Sequence, residues 1–407
     1  MEPDPVRTGE GRPEFTMPDH THSFAGAKPS VAIVGGGVIG LSVGWRLARA
    51  GCAVDLYERD RAGHGASWAA AGMLAAGVET EPGEQLLLAL NLASQALWPG
   101  FAAEIEAASG QPVGYRSEGT LRVALNRDDA EVLKSILAFQ QPLGIALDWL
   151  SGAEARRREP YLSPHATGAL FSRQDHQIDN RLLVAALIRA FTAAGGRLHE
   201  SAPVEAIVIE GGRARGLRID GAVHAADCVL LAAGAWSRQI AGLPASAVPP
   251  VRPVKGQMLA LRMNAAEPLL RHVLWTPRSY LVPRADGRLL IGASVEERGF
   301  DTSMTAGAVF ALLESAWRAL PGIEDLPIDE MWVGFRPGSR DDAPLLGPSE
   351  VEGLVIATGH HRNGILLTPI TADAISRFIL TSEIDPAIAP FLPGRFAARR
   401  SAATVPA

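Results

Sequence analysis

Residues 31–42 read VAIVGGGVIGLS, and this stretch decides the fold of the chain. Its first four residues are apolar and mostly β-branched, which is typical of a strand buried on both faces of a sheet. Residues 41–50 then place apolar side chains at helical spacing, and Gly51 follows as a helix-ending residue. A second apolar strand covers residues 53–58. The pattern predicts one complete β-α-β unit with a glycine-rich turn before its helix.

Three glycines in this turn have the spacing of a dinucleotide-binding site. Gly35 permits the tight turn, Gly37 lets the backbone approach a pyrophosphate, and Gly40 lets the helix pack closely on the strand. The phosphates would lie at the helix N-terminus, beside Val38 and Ile39, where free N–H groups and the helix dipole favour negative charge.

Glu58 ends the second strand, 23 residues after Gly35. Its carboxylate is placed to accept hydrogen bonds from an adenosine ribose, and an acid here argues against a 2′-phosphate and therefore against NADP. If the three glycines are considered alone, the alternative interpretation is a glycine-rich turn that binds no ligand. With strand, helix, second strand and acid in order, the unit predicts dinucleotide binding, but it does not choose between FAD and NAD.

The segment after Glu58 favours a flavin. An NAD-binding fold would continue with another plain helix and strand, whereas residues 59–74 are rich in Ala, Gly and Ser. Such a run suits backbone packed closely around a flat ligand, and a flexible surface loop is the alternative. The candidate cofactor contacts in this segment are Arg59, Ala66, Ser67, Ala70, Ala71, Gly72 and Met73.

Three later segments extend the predicted cofactor site. Asp179 is a plausible N-cap of a helix that ends at residues 195–196, and a strand over residues 203–209 would bring the Val204 backbone to an adenine. A buried strand at 227–231 runs into a small-residue turn, and a C-terminal loop enters a helix expected over residues 371–380. Backbone N–H groups of that loop would face the N1–C2=O edge of a flavin, where negative charge collects on reduction. The candidates in these two turns are Ala233, Gly234, Trp236, Asn363, Gly364, Ile365 and Leu366.

Composition narrows the class of protein. The 407 residues include 38 Lys and Arg against 44 Asp and Glu, for a net charge of −6, so we expect no nucleic-acid partner. Hydrophobic residues make up 47% and charged residues 20%, a globular balance. Cys52 and Cys228 are the only cysteines, which excludes a disulfide framework and a cysteine-rich metal site. We expect no metal.

The N-terminal residues carry no recognisable targeting signal. Residues 1–29 are polar and rich in Pro and Gly, which predicts a disordered tail, and Met17 is a hypothetical alternative start. No basic region followed by an apolar stretch indicates secretion. The apolar stretch 31–45 is shorter than the ~20 residues that a membrane span needs. We therefore predict a cytoplasmic protein without a membrane partner.

Taken together, these segments resemble the D-amino-acid oxidase superfamily of FAD-dependent oxidoreductases, and most closely the bacterial glycine oxidases of thiamine biosynthesis (ThiO-like). The resemblance covers residues 31–395. It is carried by VAIVGGGVIGLS, GASWAAAGML, VLLAAGAWS, VRPVKGQM, YLVPR, GFRPGSRDDAPLLG and GHHRNGILLTP.

The resemblance implies an α/β fold in which a Rossmann-like FAD-binding domain of the glutathione-reductase type is interleaved with a mostly antiparallel α+β substrate domain. Strand-like segments at 117–125 and 250–263 and a hairpin of 279–283 with 288–293 fit the second domain. The predicted FAD-domain parts are 30–114, 179–247 and 334–395, the substrate-domain parts are 115–178 and 248–333, and 396–407 form a tail.

The resemblance also implies a reaction site. Arg336 matches the family arginine that binds a substrate carboxylate, and Tyr280 matches an active-site tyrosine. Arg362 matches a position beside flavin and substrate, and it could equally anchor its own loop. No catalytic base is required, because the amine need only lose its proton before hydride transfer to flavin N5. We therefore give polar helix-entry or surface roles to the histidines His64, His272, His360 and His361.

The implied activity is oxidation of glycine, sarcosine and small D-amino acids, with oxygen as acceptor and hydrogen peroxide as product. The imine would feed thiazole formation in the thiamine pathway. We predict non-covalent FAD, because neither cysteine lies in a C-terminal segment near the flavin. We also predict a homo-oligomer such as a tetramer. A D-amino-acid dehydrogenase, a sarcosine oxidase and a cyanide-forming glycine dehydrogenase are alternatives within the superfamily. An NAD-dependent dehydrogenase and a non-enzymatic or RNA-modifying flavoprotein are alternatives outside it.

Overall fold

A computed structural model of the chain describes residues 28–80 and 83–396. Apart from residues 28, 29 and 396, the two predicted tails, with Met17, lie outside the described residues. The α-helices are α1 (Val38–Arg49), α2 (Ala66–Ala69), α3 (Gln85–Ser109), α4 (Arg127–Gln140), α5 (Gly152–Arg158), α6 (Asn180–Ala193), α7 (Ala306–Ala319) and α8 (Thr368–Thr381). The strands are β1 (Ser30–Val34), β2 (Ala53–Tyr57), β3 (Met73–Leu74), β4 (Thr120–Ala124), β5 (Leu147–Ser151), β6 (Gly168–Ser172), β7 (His176–Gln177), β8 (Arg197–His199), β9 (Ala206–Glu210), β10 (Arg213–Ile219), β11 (Ala222–Ala225), β12 (Cys228–Leu231), β13 (Arg252–Arg262), β14 (Val273–Trp275), β15 (Tyr280–Pro283), β16 (Arg288–Gly292), β17 (Ile328–Gly338), β18 (Leu345–Pro348) and β19 (Leu354–Thr358).

A six-stranded sheet, ordered β18-β19-β12-β1-β2-β8, confirms the predicted Rossmann-like unit. Strand β1 pairs in parallel with β12 on one side and with β2 on the other, so that Val31 lies between Cys228 and Val54. Only β18 runs antiparallel, on the edge of the sheet. The carboxyl ends of β1, β2 and β12 therefore meet at one edge, where ligands bind in open α/β sheets.

The helices α1, α3, α6 and α8 pack together beside this sheet. Their buried apolar side chains share one core, which draws on residues 31–113, 178–232 and 343–391. Helix α3 is long and apolar enough to cross a membrane by length and composition alone. In the fold it packs against α6 and α8 and contributes Trp98, Phe101 and Ile105 to the core.

The second sheet has eight strands in the order β17-β13-β16-β15-β14-β4-β6-β5. It is antiparallel except for the β14–β4 pair, and it contains the predicted hairpin as β15 and β16. Its separate core draws on residues 121–171 and 259–323. The domain boundary that we expected between residues 333 and 334 falls inside β17. Arg336 is opposite Val254 of β13, so it belongs to the second sheet, because pairing with β13 continues to Gly338.

Three predicted elements differ from the observed elements in their bounds or in the sheet to which they belong. Helix α1 begins at Val38, because Gly37 is its extended N-cap, and not at residue 41. Helix α8 begins at Thr368, with a proline in its first turn, and not at residue 371. The strand expected at 203–209 is β9, which begins at Ala206 and belongs to a small antiparallel sheet with β10 and β11.

Candidate active site

One cavity of about 780 Å³ extends between the two sheets. At one end it is lined by the turns that follow β1 and β2. At the other end it is lined by β13, β15 and β17 of the second sheet. The volume is in the range of cofactor and ligand sites, and the first sheet contributes its switch-point edge.

The glycines of the first turn are required by contacts within the protein. Gly35 has φ = +107°, and a Cβ there would lie 2.5 Å from the Ala232 carbonyl oxygen. A Cβ at Gly40 would lie 2.0 Å from the Gly35 carbonyl oxygen. Gly37 precedes α1, so the N-terminus of that helix opens toward the cavity. This geometry suits an anion such as a pyrophosphate.

Glu58 lies beside this turn at the end of β2. Its carboxylate accepts hydrogen bonds from the Gly36 N–H at 2.8 Å and the Asp60 N–H at 3.2 Å. Two bonds leave further lone pairs on the carboxylate oxygens for a ribose hydroxyl. Nearby, the Arg59 guanidinium stacks over Trp236, 4.1 Å from the ring centroid, and Trp236 stacks on Phe300.

The small-residue segment after Glu58 is held in place by buried hydrogen bonds. Ser67 Oγ accepts from the Val38 N–H at 3.0 Å, and Asn180 Nδ2 donates to the Ser67 and Trp68 carbonyls. Arg284 donates to the Ala71 and Ile178 carbonyls and to the side chains of Gln177 and Asn180. Burial lowers the pKa of Arg284 to about 10. The segment at residues 59–74, for which a flexible surface loop was the alternative, is therefore held by hydrogen bonds and lines the cavity.

Arg336 and Tyr280 face the opposite end of the cavity. Arg336 Nη1 donates to the Ser294 carbonyl at 3.1 Å. Burial raises the pKa of Tyr280, and the nearby charge of Arg336 opposes that rise, so the hydroxyl stays protonated. Two glycines make room for this pair. A Cβ at Gly256 would lie 2.6 Å from Arg336 Nη1, and one at Gly292 would lie 2.7 Å from the Tyr280 ring.

Arg362 lines the cavity, but its charge is already paired. Its Nη2 donates to both carboxylate oxygens of Glu84 at 2.8 Å and to the Glu79 carbonyl at 3.0 Å. Its Nε lies 3.5 Å from Glu79 Oε2. Of the two roles left open for Arg362, these contacts favour anchoring of its own loop to the segment before α3.

The structure places on the cavity wall every residue predicted for the site except Gly40, which only shapes the turn. The prediction missed several wall residues of the second sheet. Arg122 could have been found, because it alternates with the buried Leu121 and Val123 on β4 and must point to the other face. The others come from separate segments with no common motif; they include Met258 on β13, Trp275 on β14, Arg278 in the turn after β14, and Glu79, which precedes α3 and lies outside the second sheet.

Of the helix-entry and surface roles expected for the histidines, the contacts of His360 favour the first, because it is buried and bonds Thr371 Oγ1 in the first turn of α8 at 3.2 Å. Burial lowers the pKa of His360 to about 3 and that of His361 to about 4, so both rings are neutral near pH 7. His272 instead contacts the buried Glu159 carboxylate at 2.6 Å. Among residues 28–80 and 83–396, no group of three or more His, Cys, Asp or Glu side chains is arranged to hold a metal ion.

We expect FAD to be released when the protein is precipitated with acid. Cys52 and Cys228 are buried in the core, and neither is among the residues that line the cavity. Burial also raises the pKa of Cys228 to about 12, which suppresses the nucleophilic thiolate. The measurement is flavin absorbance in the supernatant and in the washed pellet. Yellow colour that stays with the pellet would contradict this prediction.

We expect Glu79 to make the binding of a simple carboxylate depend on pH. Burial raises the pKa of Glu79 to about 7, and the charges of Arg362 and Arg336 oppose the rise. Glu79 is therefore neutral at pH 6 and negative at pH 8, where it repels an anion placed near Arg336. The dissociation constant of the holoenzyme for acetate should rise about fivefold between these pH values, which is a modest charge effect.

Glu79→Gln is the matched variant for this measurement, because glutamine keeps the shape and stays neutral. Its acetate affinity should be nearly constant from pH 6 to 8. Titrations followed by the visible absorbance of bound flavin provide the readout. If the glutamine variant kept the full pH dependence, another group would be responsible.

The residues that line the cavity suit the parts of FAD. The α1 N-terminus behind Gly37 would hold the pyrophosphate, and the free lone pairs of Glu58 would hold the ribose. Small side chains at residues 69–72 leave a flat slot, and the Asn363–Leu366 turn would meet the flavin edge. Gly334 keeps this slot narrow, because a Cβ there would lie 2.5 Å from the Ala69 Cβ.

Comparisons with known proteins agree with this arrangement. The sequence matches the family described as FAD dependent oxidoreductase (DAO) over residues 30–377. It is 37% identical to the glycine oxidase of Geobacillus kaustophilus over 367 residues, which cover 89% of this chain and 95% of that protein. It is 38% identical to the bifunctional protein ThiO/ThiG of Synechocystis over 375 residues, and it spans about half (54%) of that relative's length and 90% of its own.

The fold is also similar to a solved structure of this kind. The crystal structure of glycine oxidase from Geobacillus kaustophilus aligns with a TM-score of 0.83 at 36% identity, covering 90% of this chain and 98% of that one. The predicted resemblance, fold class and cofactor are confirmed. The chain belongs to the family of FAD-dependent oxidoreductases.

Proposed function

We propose that this chain oxidises glycine and other small amino acids or amines, including sarcosine and small D-amino acids. The observation that carries the proposal is the pair formed by Arg336 and Tyr280 at the end of the cavity opposite the predicted ribose site. A guanidinium fork binds both oxygens of a carboxylate, and a protonated tyrosine can donate to the same anion. The names of the glycine oxidase relatives support this substrate class.

The residues of the chain bind and orient the substrate. Arg336 would hold the carboxylate, which leaves the amine-bearing carbon turned toward the slot at residues 69–72. Tyr280 would restrict rotation about that carbon. His360 and His361 are neutral and add no charge to the slot. With Arg336 as a cationic anchor, the pocket favours an anionic amino acid whose amine has lost its proton.

The chemistry that FAD supplies when bound is acceptance of a hydride from the amine-bearing carbon, followed by reoxidation by oxygen. For glycine the balanced reaction consumes one oxygen and one water, and it yields glyoxylate, ammonia and hydrogen peroxide. The imine precedes hydrolysis, and we propose that it also supplies thiazole formation in thiamine synthesis. The ThiO/ThiG relatives support that role by name.

A panel of amines tests the proposal. Purified holoenzyme is supplied in air with glycine, sarcosine, D-alanine and L-alanine, and peroxide formation is measured with a coupled peroxidase. We expect turnover of glycine and sarcosine, and of the D but not the L isomer of alanine. Turnover only with an added quinone or dye would instead indicate a dehydrogenase. The absence of turnover with every amine would reject the proposed function.

The oligomeric state and location are also proposals. We propose a cytoplasmic homo-oligomer such as a tetramer, and light scattering on the purified holoenzyme measures its mass.

A further inference from the structure

A methionine thioether lies at the proposed substrate end of the cavity. Met258 is on β13, two residues after Gly256, so both residues point to the same face of the sheet, and both line the cavity. The Tyr280 hydroxyl donates a hydrogen bond to Met258 Sδ at 3.7 Å. Met258 also belongs to one buried cluster with Ala69 and Ala71, which border the slot predicted for the flavin. The sulfur therefore contacts a proposed substrate-binding residue and lies in the cluster that borders the flavin slot.

Three other methionines provide an internal comparison. Met263 is 4% exposed, as Met258 is, but it lies in the core of the second sheet and is not among the residues that line the cavity. Met331 on β17 is 49% exposed. Met73 lines the cavity among the predicted flavin contacts, where bound FAD would cover it. Met258 thus combines burial from bulk solvent with an opening to the proposed substrate end of the cavity.

Hydrogen peroxide is the oxidant that would meet this sulfur, because the proposed reaction releases it into the same cavity. Peroxide converts a thioether to a sulfoxide. The sulfur lone pair forms the S–O bond while the peroxide O–O bond breaks. The Tyr280 hydroxyl can protonate the departing oxygen, which leaves as water, and it regains a proton from the hydroxyl formed on the sulfur. Peroxide gains the two electrons that the sulfur loses.

We propose that Met258 is a site of oxidation by peroxide, and that its sulfoxide lowers the activity of the enzyme as peroxide accumulates. This inference rests on the proposed function for the source of the peroxide. A sulfoxide oxygen accepts a hydrogen bond more strongly than a thioether sulfur, so it would hold the Tyr280 hydroxyl away from the substrate. It would also place a polar atom in an apolar cluster that includes Val282 and Trp332.

The first measurement needs no turnover. Purified holoenzyme is incubated with hydrogen peroxide in the absence of an amine, and peptide mass spectrometry follows the gain of one oxygen at each methionine. We expect Met258 to be oxidised at least about tenfold faster than Met263, although both are 4% exposed, and more slowly than Met331. Oxidation through a general opening of the fold would instead give Met258 and Met263 similar rates.

The second measurement relates this oxidation to activity. Met258→Leu removes the sulfur and keeps a similar side-chain volume, and Met331→Leu is the same change at an exposed position. Each enzyme is compared with its own kcat/KM for glycine before peroxide is added. At a dose that oxidises most of Met258, the unaltered enzyme and Met331→Leu should lose about tenfold, mainly through KM. Met258→Leu should lose less than about twofold at the same dose.

Binding of acetate separates this inference from the proposed function, because it needs no turnover. Peroxide treatment should raise the acetate dissociation constant of the unaltered holoenzyme about threefold and leave that of Met258→Leu unchanged. If no amine is oxidised but Met258 reacts selectively and acetate binding weakens in this way, the proposed function fails while the oxidation site stands. If glycine is oxidised and Met258 reacts no faster than Met263, or if Met258→Leu loses the same share of activity as Met331→Leu, the inference is overturned.

Discussion

Arg336→Ala is expected to lower kcat/KM for glycine by about 100- to 1,000-fold, which corresponds to about 3–4 kcal/mol. The arginine is half-buried, with Nη1 fixed by the Ser294 carbonyl and packed against Gly256. Alanine would leave the substrate carboxylate without a cation in a partly dehydrated pocket. Steady-state kinetics with a peroxide readout measure the loss, and flavin absorbance verifies that FAD stays bound.

Arg336→Lys provides the graded comparison. Lysine keeps the charge but has no planar fork, so part of the activity should return. Arg298→Gln removes an exposed cation elsewhere and should change glycine turnover by less than about twofold. If Arg336→Ala turned over glycine as fast as the unaltered enzyme, the carboxylate would be bound elsewhere and the proposed function would lose its principal support.

Gly40→Ala is expected to remove most of the bound FAD, although Gly40 does not line the cavity. The added Cβ would lie 2.0 Å from the Gly35 carbonyl oxygen, so α1 must move away from the turn. Overpacking of this kind costs about 1–3 kcal/mol or more. We expect the FAD content to fall below about a tenth and Tm to fall by about 5 °C or more.

Gly100→Ala is the matched control for that experiment. Gly100 lies in α3 and is exposed, and an added Cβ there would meet none of residues 28–80 and 83–396 within 4 Å. Alanine has a higher helix propensity than glycine, so this variant should be neutral or more stable by up to ~1 kcal/mol. Full FAD occupancy in Gly40→Ala would show that the close approach of α1 to the turn is not needed.

The local sequence pattern was sufficient to predict the cofactor site where one short segment contains both a secondary-structure unit and the residues that would contact the ligand. The turn at residues 35–40 and Glu58 lie within one β-α-β unit, so their spacing predicted their place on one sheet edge. The assignment of Arg336 and Tyr280 came from the family resemblance. Their pairing depends on β13 and β16, whose Gly256 and Gly292 leave room for the two side chains.

Other features depended on contacts between distant segments. The predicted boundary between residues 333 and 334 falls inside β17, because residues 335–338 continue to pair with β13. His360 is buried because it packs against α8. The polar residues of its local sequence, GHHRNG, give no sign of this burial. Nothing in the local sequence distinguishes Arg284 from an ordinary arginine after a strand. In the structure it is buried and donates a hydrogen bond to the Ala71 carbonyl, which holds that loop in place.

By itself the sequence determined the class of this protein: the glycine spacing, the terminal acid and the small-residue run indicated an FAD-dependent oxidoreductase, because steric and charge requirements of a dinucleotide act within short stretches. The tertiary structure decided which charged side chains surround the proposed substrate end of the cavity. Glu79, Arg122, Arg278 and Arg336 come from four separate segments, and only folding places them around one cavity. The raised pKa of Glu79 arises from its burial in the fold, which the neighbouring residues in the sequence do not reveal.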